Sequence, residues 1–108
     1  MEHKPPAPVI EAAHAQHLTS LPFGDTADFV NTDRGFIAAL QPCVVTAADG
    51  RVVWDNDVYA FLAGDAPPSV HPSLWRQSIL AAKQGLYEVV EGIYQVRGLD
   101  LSNISFIE

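Results

Sequence analysis

Two apolar segments near the end of the chain constrain its fold more than any other feature. Residues 92–98 (GIYQVRG) and 104–108 (ISFIE) flank a polar turn at residues 99–103 (LDLSN). This pattern predicts two antiparallel strands, and such strands need partners at their edges and a packed layer under their apolar face. No later segment of the sequence supplies these, so we expect the chain to be the front part of a larger protein.

The length and the proline pattern suggest how this chain is divided. Its 108 residues fit at most one small domain, and a hydrophobic content of 48% is typical of globular material. Prolines cluster at two places, Pro5, Pro6 and Pro8, and Pro67, Pro68 and Pro72. They indicate an N-terminal arm and an internal loop. We therefore expect an arm and a helix over residues 1–21, followed by the truncated start of a larger domain over residues 22–108.

The charge of the chain argues against two classes of partner. The net charge is −7, and the six Lys and Arg residues are scattered. No basic patch is available to neutralise phosphates, and an anionic membrane surface would repel the chain, so we expect neither nucleic acid nor membrane as a partner. The first residues lack the apolar core of a signal peptide, which predicts a cytoplasmic protein. A start upstream of Met1 would allow a periplasmic or secreted one.

Helical periodicity appears twice. Residues 9–21 predict an amphipathic helix that ends before Pro22, and its apolar face comprises Ile10, Ala13, His17, Leu18 and Leu21. A second helix is expected to begin at Pro72 and to be capped by Gly85. Its apolar face comprises Leu74, Trp75, Ser78, Ile79 and Ala82. Helical turns over residues 26–31 and a loop with buried aromatics over residues 33–37 complete this part.

A β-hairpin is predicted between these helices. The segments 44–48 and 51–54 are rich in β-branched residues and flank Asp49-Gly50, where glycine accepts the positive φ of a tight turn. A short helix should follow, capped by Asn56 or Asp57 and ended by Gly64.

The titratable residues do not form a recognisable catalytic site. His14 and His17 are three residues apart on one helix face, but no third ligand lies at a recognisable spacing, and His3 and His71 have no expected partners. Cys43 is expected to be a small buried hydrophobe, since no His–Asp pair points to it as a nucleophile. We predict no catalytic residue and no metal ligand in this chain.

The carboxylates have simpler interpretations than catalysis or metal binding. Asp25, Asp28 and Asp33 could form a paired-carboxylate site, but capping of turns and helices accounts for them more simply, with Arg34 as a structural ion-pair partner. Asp55 and Asp57 resemble the front of a calcium loop that lacks its glycine and its distal glutamate.

Five ordered blocks of the sequence resemble the alkylsulfatases of the metallo-β-lactamase superfamily, specifically the linear primary-alkylsulfatase family. The blocks are LPFGD with DF and DRGFIA at residues 21–38, DGRVVWD with YAFL at residues 49–62, PSLWRQ at residues 72–77, GLYEV at residues 85–89, and GIYQVRG through DLSN at residues 92–103. The resemblance extends from about Leu21 to Glu108, and residues 1–20 contribute little to it.

The resemblance implies both a fold and an activity. The fold would be an α+β fragment, in which a helical N-terminal arm, a β-hairpin and a helix lead into the first strands of a metallo-β-lactamase αββα sandwich. The complete protein would be a homodimeric hydrolase that cleaves sulfate esters of medium-chain alcohols, such as dodecyl sulfate, with two zinc ions. The family's His-x-His-x-Asp-His zinc motif is absent from this chain. We therefore expect the chain alone to bind no zinc and to be inactive.

Three residues at the end of the first terminal strand and in the turn after it are the candidates for contact with the alkyl sulfate substrate. They are Arg97, Asp100 and Asn103. The simpler alternative is that Asp100 and Asn103 satisfy the turn backbone and that Arg97 is a solvated strand residue.

Three functions remain open on the sequence. The chain could be a segment of a zinc alkylsulfatase, a segment of another metallo-β-lactamase-fold hydrolase, or a stand-alone, non-enzymatic interaction module that binds a partner through its open sheet edge.

Overall fold

The computed structural model of the protein describes residues 4–108, so His3 lies outside the described residues. In chain order the elements are α1 (Pro8–Ser20), α2 (Ala27–Asp33), β1 (Phe36–Ala38), β2 (Val44–Thr46), β3 (Val52–Asp55), a 3-10 helix (Asn56–Ala63), α3 (Pro72–Ala81), β4 (Gly85–Val90), β5 (Ile93–Arg97) and β6 (Ile104–Ile107). The predicted α+β class is confirmed.

The main sheet has four antiparallel strands in the order β1-β4-β5-β6. The predicted terminal strand pair is confirmed as β5 and β6, with Tyr94 opposite Phe106 and Val96 opposite Ile104. These four side chains lie on one face because alternate strand residues point the same way and directly paired residues share a face. β6 is an edge strand of this sheet.

The prediction of a loop with buried aromatics at residues 33–37 is wrong. Residues 36–38 form β1, which pairs with β4, and Phe36 is 52% exposed. The loop prediction failed because β1 is only three residues long and its partner lies some fifty residues later in the chain.

The prediction that Gly85 caps the helix beginning at Pro72 is also wrong. Gly85 does not cap α3 but begins β4, where it is buried. A Cβ at this position would lie 2.7 Å from the Ala38 carbonyl oxygen. Gly85 therefore allows the backbones of β1 and β4 to approach each other.

The predicted hairpin is confirmed as a separate two-stranded sheet. β2 pairs with β3, and Gly50 in the turn between them has φ of +85°. Neither Asn56 nor Asp57 caps the helix that follows. The Asp55 carboxylate accepts the hydrogen bond from the Asp57 amide instead, and Gly64 ends the helix as predicted.

The predicted apolar face of α1 is wrong, although the helix itself is confirmed. Leu18 is 56% exposed and Leu21 is 40% exposed, and no residue of α1 is buried. Its half-buried residues are Ala13 and His14. The apolar residues of α1 are not concentrated on one face of the helix, and α1 contacts the rest of the described chain through His14 and His17.

The α3 prediction is correct at its start and partly wrong along its face. The helix begins at Pro72, and the His71 ring caps it by accepting from the Ser73 amide at 3.1 Å. Trp75, Ser78, Ile79 and Ala82 are half-buried, but Leu74 is 61% exposed.

Residues of the helices α2 and α3 lie beside one face of the main sheet. Residues of both helices line a groove with Arg97 of β5, whose side chain lies over the buried Tyr87 ring of β4. The opposite face carries Tyr94 and Val96, and there Ile104 and Phe106 are 58% and 54% exposed. Apolar side chains are also exposed on the face that carries Tyr87, where Phe36 is 52% and Ile107 is 82% exposed. The sheet therefore leaves apolar residues uncovered at its edges on both faces.

The molecule buries little apolar surface for its size. Cys43, Leu62 and Tyr87 are the buried hydrophobic residues in the part that the structure describes. The accessible surface is 8175 Å², whereas a compact protein of this mass exposes roughly 5,900 Å². Among residues 4–108, no helix combines the length and the apolar character needed to span a membrane.

Candidate functional site

The segment after β5 turns away from the sheet at Gly98, and it separates the three residues predicted to contact substrate. Gly98 has φ of +79°, and a Cβ there would overlap the Lys83 carbonyl oxygen. The chain thus passes directly against the segment between α3 and β4. Asp100 and Asn103 follow in the irregular segment that leads to β6.

Arg97 is held against the sheet on the face that carries Tyr87. Its guanidinium carbon lies 4.4 Å from the centre of the Tyr87 ring, and its Nε donates to Gln95 Oε1 at 2.6 Å. Gln95 in turn donates to Ser105 Oγ at 3.1 Å. This cation–π contact and the polar ladder restrain the Arg97 side chain.

Asp100 lies at a different place from Arg97. Its carboxylate accepts from the Leu101 amide at 2.7 Å, and the residue lines an apolar cavity. Asn103 is exposed and lies outside both the groove at Arg97 and this cavity. The three predicted residues therefore do not line one common site in this structure.

A cavity with a mostly apolar lining lies beside Asp100. Its volume is about 460 Å³, and it lies between the hairpin end, the 3-10 helix, α3 and the β5–β6 turn. The lining side chains that matter most here are Trp54, Phe61, Leu62, Leu74, Trp75 and Leu99. We call this feature the apolar cavity.

Aromatic contacts fix the wall of the apolar cavity. The Trp75 indole N–H donates to the Gly64 carbonyl at 3.0 Å, and the Phe61 and Trp75 ring centres are 5.9 Å apart. Leu62 is 8% exposed. These contacts orient the Trp75 ring, because a half-buried indole whose N–H is bonded has little freedom to rotate.

Polar groups are few in the cavity lining. Asn56 is buried at 8% exposure, and its backbone N–H donates to the Cys43 carbonyl at 2.9 Å. Tyr59, Ser78 and Asp100 also contribute polar groups, and no Lys or Arg belongs to the lining. A mostly apolar cavity with a few polar groups is typical of a small-molecule binding site.

The acidic cluster of residues 25–33 is structural. Asp25 accepts from the Ala27 amide at 3.0 Å, Asp28 pairs with Arg76 at 3.2 Å and Asp33 pairs with Lys83 at 2.8 Å. The preference for capping over catalysis is thus supported for Asp25, while Asp28 and Asp33 tie α2 to α3 and to its C-terminal end.

Arg34 does not have its predicted role. It donates to Asn31 Oδ1 at 2.9 Å and forms no ion pair within 4.0 Å in the part of the chain that the structure describes. The cations of α3 and of the segment after it occupy the carboxylates that Arg34 was expected to meet.

The structure brings His71 to the two histidines of α1, so the prediction that His71 has no partner is wrong. His71 Nε2 lies 2.8 Å from His17 Nδ1, and the His14 and His71 ring centres are 5.5 Å apart. His14 Nδ1 donates to the Pro68 carbonyl at 2.7 Å. A contact across 54 residues cannot be read from local spacing.

The donor and acceptor roles of the ring nitrogens indicate that the cluster of His14, His17 and His71 is a contact between two helices. The Ser73 amide can only donate, so His71 Nδ1 accepts, and the proton of the neutral ring is on Nε2. His71 Nε2–H therefore donates to His17 Nδ1. A metal ion on His71 Nε2 would need the other tautomer, in which Nδ1 carries the proton.

Residues 4–108 do not fit a metal centre. No group of three or more His, Cys, Asp or Glu side chains in this range could hold a metal ion. Zinc sites require three or four converging ligands of these types. The described residues therefore offer no ligand set for a pair of zinc ions.

Cys43 is a buried thiol without a catalytic partner. It is 3% exposed, and its amide donates to Asp57 Oδ1 at 3.3 Å. Burial, and then the negative charges of Asp57 and Asp55, raise the pKa of the Cys43 thiol above its ordinary value. A raised pKa disfavours the nucleophilic thiolate, which agrees with the prediction of a small buried hydrophobe.

Sequence comparison relates the chain to characterised sulfatases. A linear primary-alkylsulfatase from Pseudomonas sp. is 43% identical over 107 residues, 97% of this chain and 16% of that protein. An (R)-specific secondary-alkylsulfatase from Pseudomonas sp. is 42% identical over 100% of this chain and 16% of that protein. An alkyl/aryl-sulfatase from Saccharomyces cerevisiae is 42% identical over 89% of this chain and 15% of that protein. No protein-family model matches the chain.

Structure comparison gives the same relationship. The stereoselective inverting sec-alkylsulfatase Pisa1 from Pseudomonas sp. matches with a TM-score of 0.89 and 44% identity, over 99% of this chain and 17% of that one. A double mutant of the same enzyme matches with a TM-score of 0.86. The chain thus spans about one sixth of the relatives it matches, and the alkylsulfatase resemblance predicted from its sequence is confirmed.

The apolar cavity was not predicted from the sequence. Trp54, Phe61 and Trp75 lie in three different elements, and each was interpreted as a strand or helix residue on its own. The available signal was that both tryptophans of the chain lie within 22 residues of each other, on either side of the proline-rich loop.

Proposed function

We propose that the protein to which this chain belongs hydrolyses sulfate esters of medium-chain alcohols to the alcohol and inorganic sulfate, because the chain is similar to alkylsulfatases in sequence and fold over nearly its whole length. The observation that carries the proposal is the 42–44% identity to primary and secondary alkylsulfatases over nearly the whole chain. Dodecyl sulfate is the substrate that we propose for a first assay.

We further propose that the activity depends on two zinc ions held outside this chain. The described residues offer no zinc ligand set, and the proposal assigns the ligands to the part of the longer protein that corresponds to the unmatched length of the relatives. When bound, zinc can activate water and stabilise charge on an ester oxygen. The chain alone is then inactive, and its own contribution is to form the sheet, the helix layer and the apolar cavity.

The arrangement of layers supports a place in a metallo-β-lactamase αββα sandwich. Residues of α2 and α3 line a groove with Arg97 on one face of the main sheet, and Phe106 on the other face is 54% exposed. A second sheet packed on this face would give an order of helix, sheet, sheet. The assembled enzyme is proposed to be a cytoplasmic homodimer that acts on a small-molecule ester.

One observation favours a second candidate, an interaction module without enzymatic activity. β6 is an exposed edge strand whose four residues are all exposed, and an added strand from a partner could pair with it. This candidate predicts that the chain is stable and binds a partner without any further alkylsulfatase sequence.

A segment exchange tests the proposed activity. This chain replaces the matched segment of the Pseudomonas linear primary-alkylsulfatase, and release of sulfate from dodecyl sulfate is measured with and without a chelator. We expect release that the chelator abolishes and that added zinc restores. A folded, zinc-loaded chimera that opens a lactone or a thioester but cleaves no sulfate ester would replace the alkylsulfatase proposal with another hydrolase of the same fold.

A further inference from the structure

The apolar cavity carries an inference that reaches beyond sulfate ester hydrolysis in general. We propose that it binds the alkyl chain of the ester, with the chain inside and the sulfate group away from Asp100. The inference rests on the proposed function, because the alkyl group comes from the substrate class. It assigns a ligand to a cavity formed by the hairpin end, the 3-10 helix, α3 and the β5–β6 turn.

The size and lining of the cavity suit an alkyl chain. Its volume of about 460 Å³ lies within the range of roughly 300–1,000 Å³ that small-molecule sites occupy. Leucine side chains and the rings of Trp54, Phe61 and Trp75 form most of the wall. An unbranched hydrocarbon leaves no hydrogen-bonding group unpaired in such a wall, whereas a peptide backbone would.

The wall is preformed. Trp75 is fixed by its bond to the Gly64 carbonyl at 3.0 Å and packs near Phe61. On the opposite side, the Asp100 carboxylate accepts from the adjacent Leu101 amide. A preformed apolar site binds without first ordering its own side chains, which lowers the entropic cost of binding.

The charges around the cavity decide the orientation of the ligand. Asp100 is the charged residue of the lining, and the chain has a net charge of −7. A sulfate group next to Asp100 would face like charge with no Lys or Arg to offset it. The uncharged end of the ester therefore enters, and the sulfate group remains outside, on the side away from Asp100.

The two tryptophans supply the measurement. Trp54 and Trp75 are the only tryptophans of the chain, and both line the cavity. Their fluorescence is titrated with 1-hexanol, 1-octanol, 1-decanol and decyl sulfate, each below its micellar or solubility limit. We expect saturable changes, with binding about fourfold tighter for each added methylene until the cavity is filled.

Two pairs of measurements identify the site. Ser78→Phe fills the cavity and should weaken binding of 1-decanol at least tenfold, whereas Ser73→Phe, at an exposed position of the same helix, should leave it unchanged. Asp100→Asn should tighten binding of decyl sulfate but not of 1-decanol. Circular dichroism checks that each variant is folded, and the chain-length series on the unmodified chain does not depend on any variant.

The inference is overturned if no alcohol gives a saturable change, if affinity is independent of chain length, or if Ser78→Phe and Ser73→Phe bind equally. It is also overturned if the chimera binds no alkyl alcohol because residues of the remaining polypeptide fill the cavity. These readouts measure binding and not turnover. An active chimera without alkyl binding at this cavity would reject the inference and leave the proposed activity intact.

Discussion

At the scale of single residues, two side chains that could bind or attack a substrate, Arg97 and Cys43, are held in the structure of the chain itself. Arg97 lies on Tyr87 and bonds Gln95, while Cys43 is buried and close to Asp57. The Arg97 guanidinium is thus used by its neighbours, and burial keeps the Cys43 thiol from solvent. The residue that faces an open cavity is Asp100, and its charge shapes which part of a ligand can enter.

The Cys43 thiol should react slowly in the folded chain. Its pKa is raised, chiefly by burial, so the folded state holds the thiol proton more tightly than the unfolded state does. The contribution of this pKa shift to the free energy of unfolding is fully present below the unfolded thiol pKa of about 8.5. It is lost as the pH rises through the pKa of the thiol in the folded state. The rate of thiol labelling against pH, in native buffer and in denaturant, measures this.

We expect labelling in denaturant to follow an ordinary thiol, and native labelling to lag behind it throughout the range from neutral to mildly alkaline pH. Cys43→Ala should lose the alkaline fall in stability that the thiol causes. Equal labelling rates in the two states at neutral pH would contradict the buried, protonated thiol.

At the scale of elements, local patterns predicted what local forces determine. The Asp49-Gly50 turn and Pro72 at the first turn of α3 depend on neighbouring residues, and both were predicted correctly. β1 and the contact of His71 with His17 depend on partners about fifty residues away, and both were missed. The apolar cavity was missed for the same reason, since it forms only when four elements meet.

His71 has two functions at the start of α3, and two substitutions separate them. His71→Ala removes both the N-cap and the contact with His17, and should lower the free energy of unfolding by about 1 kcal/mol. His71→Asn keeps a capping acceptor and removes the contact alone. Urea denaturation measures the contribution of the N-cap to the free energy of unfolding. The rate of limited proteolysis within α1 measures how firmly α1 is held by the contact with His71.

We expect His71→Asn to unfold at nearly the same urea concentration as the unmodified chain, and both variants to be cleaved faster in α1. If neither variant changes the urea midpoint or the cleavage rate, the imidazole contacts do not hold α1 in place.

At the scale of the whole molecule, the described chain is flat and open. Its extents are 52 × 38 × 19 Å and its radius of gyration is 17.4 Å, whereas a compact domain of this length has about 13 Å. The apolar periodicity of the sequence was correct for the strands, but periodicity cannot tell whether the surface that covers an apolar face is present in the same chain.

The sheet face that carries Phe106 should cause self-association of the chain. Phe106→Lys places a charge on the apolar face and should shift the chain towards monomer, because exposed apolar edge strands favour pairing. Ser105→Lys is the matched control, since it makes the same change in charge on the opposite face of β6. Sedimentation velocity over a concentration series measures the effect. A wild-type chain that is monomeric at every concentration would contradict this prediction.

The central claim is that this chain forms a packing and alkyl-binding segment of an alkylsulfatase and holds no catalytic centre. Sulfate released from dodecyl sulfate, per mole of folded protein with zinc present, tests it most directly when the purified chain and the segment-exchange chimera are compared. We predict release by the chimera and none by the chain, which should also retain no stoichiometric zinc. Sulfate release by the chain alone, or a folded, zinc-loaded chimera that releases none, would contradict the claim.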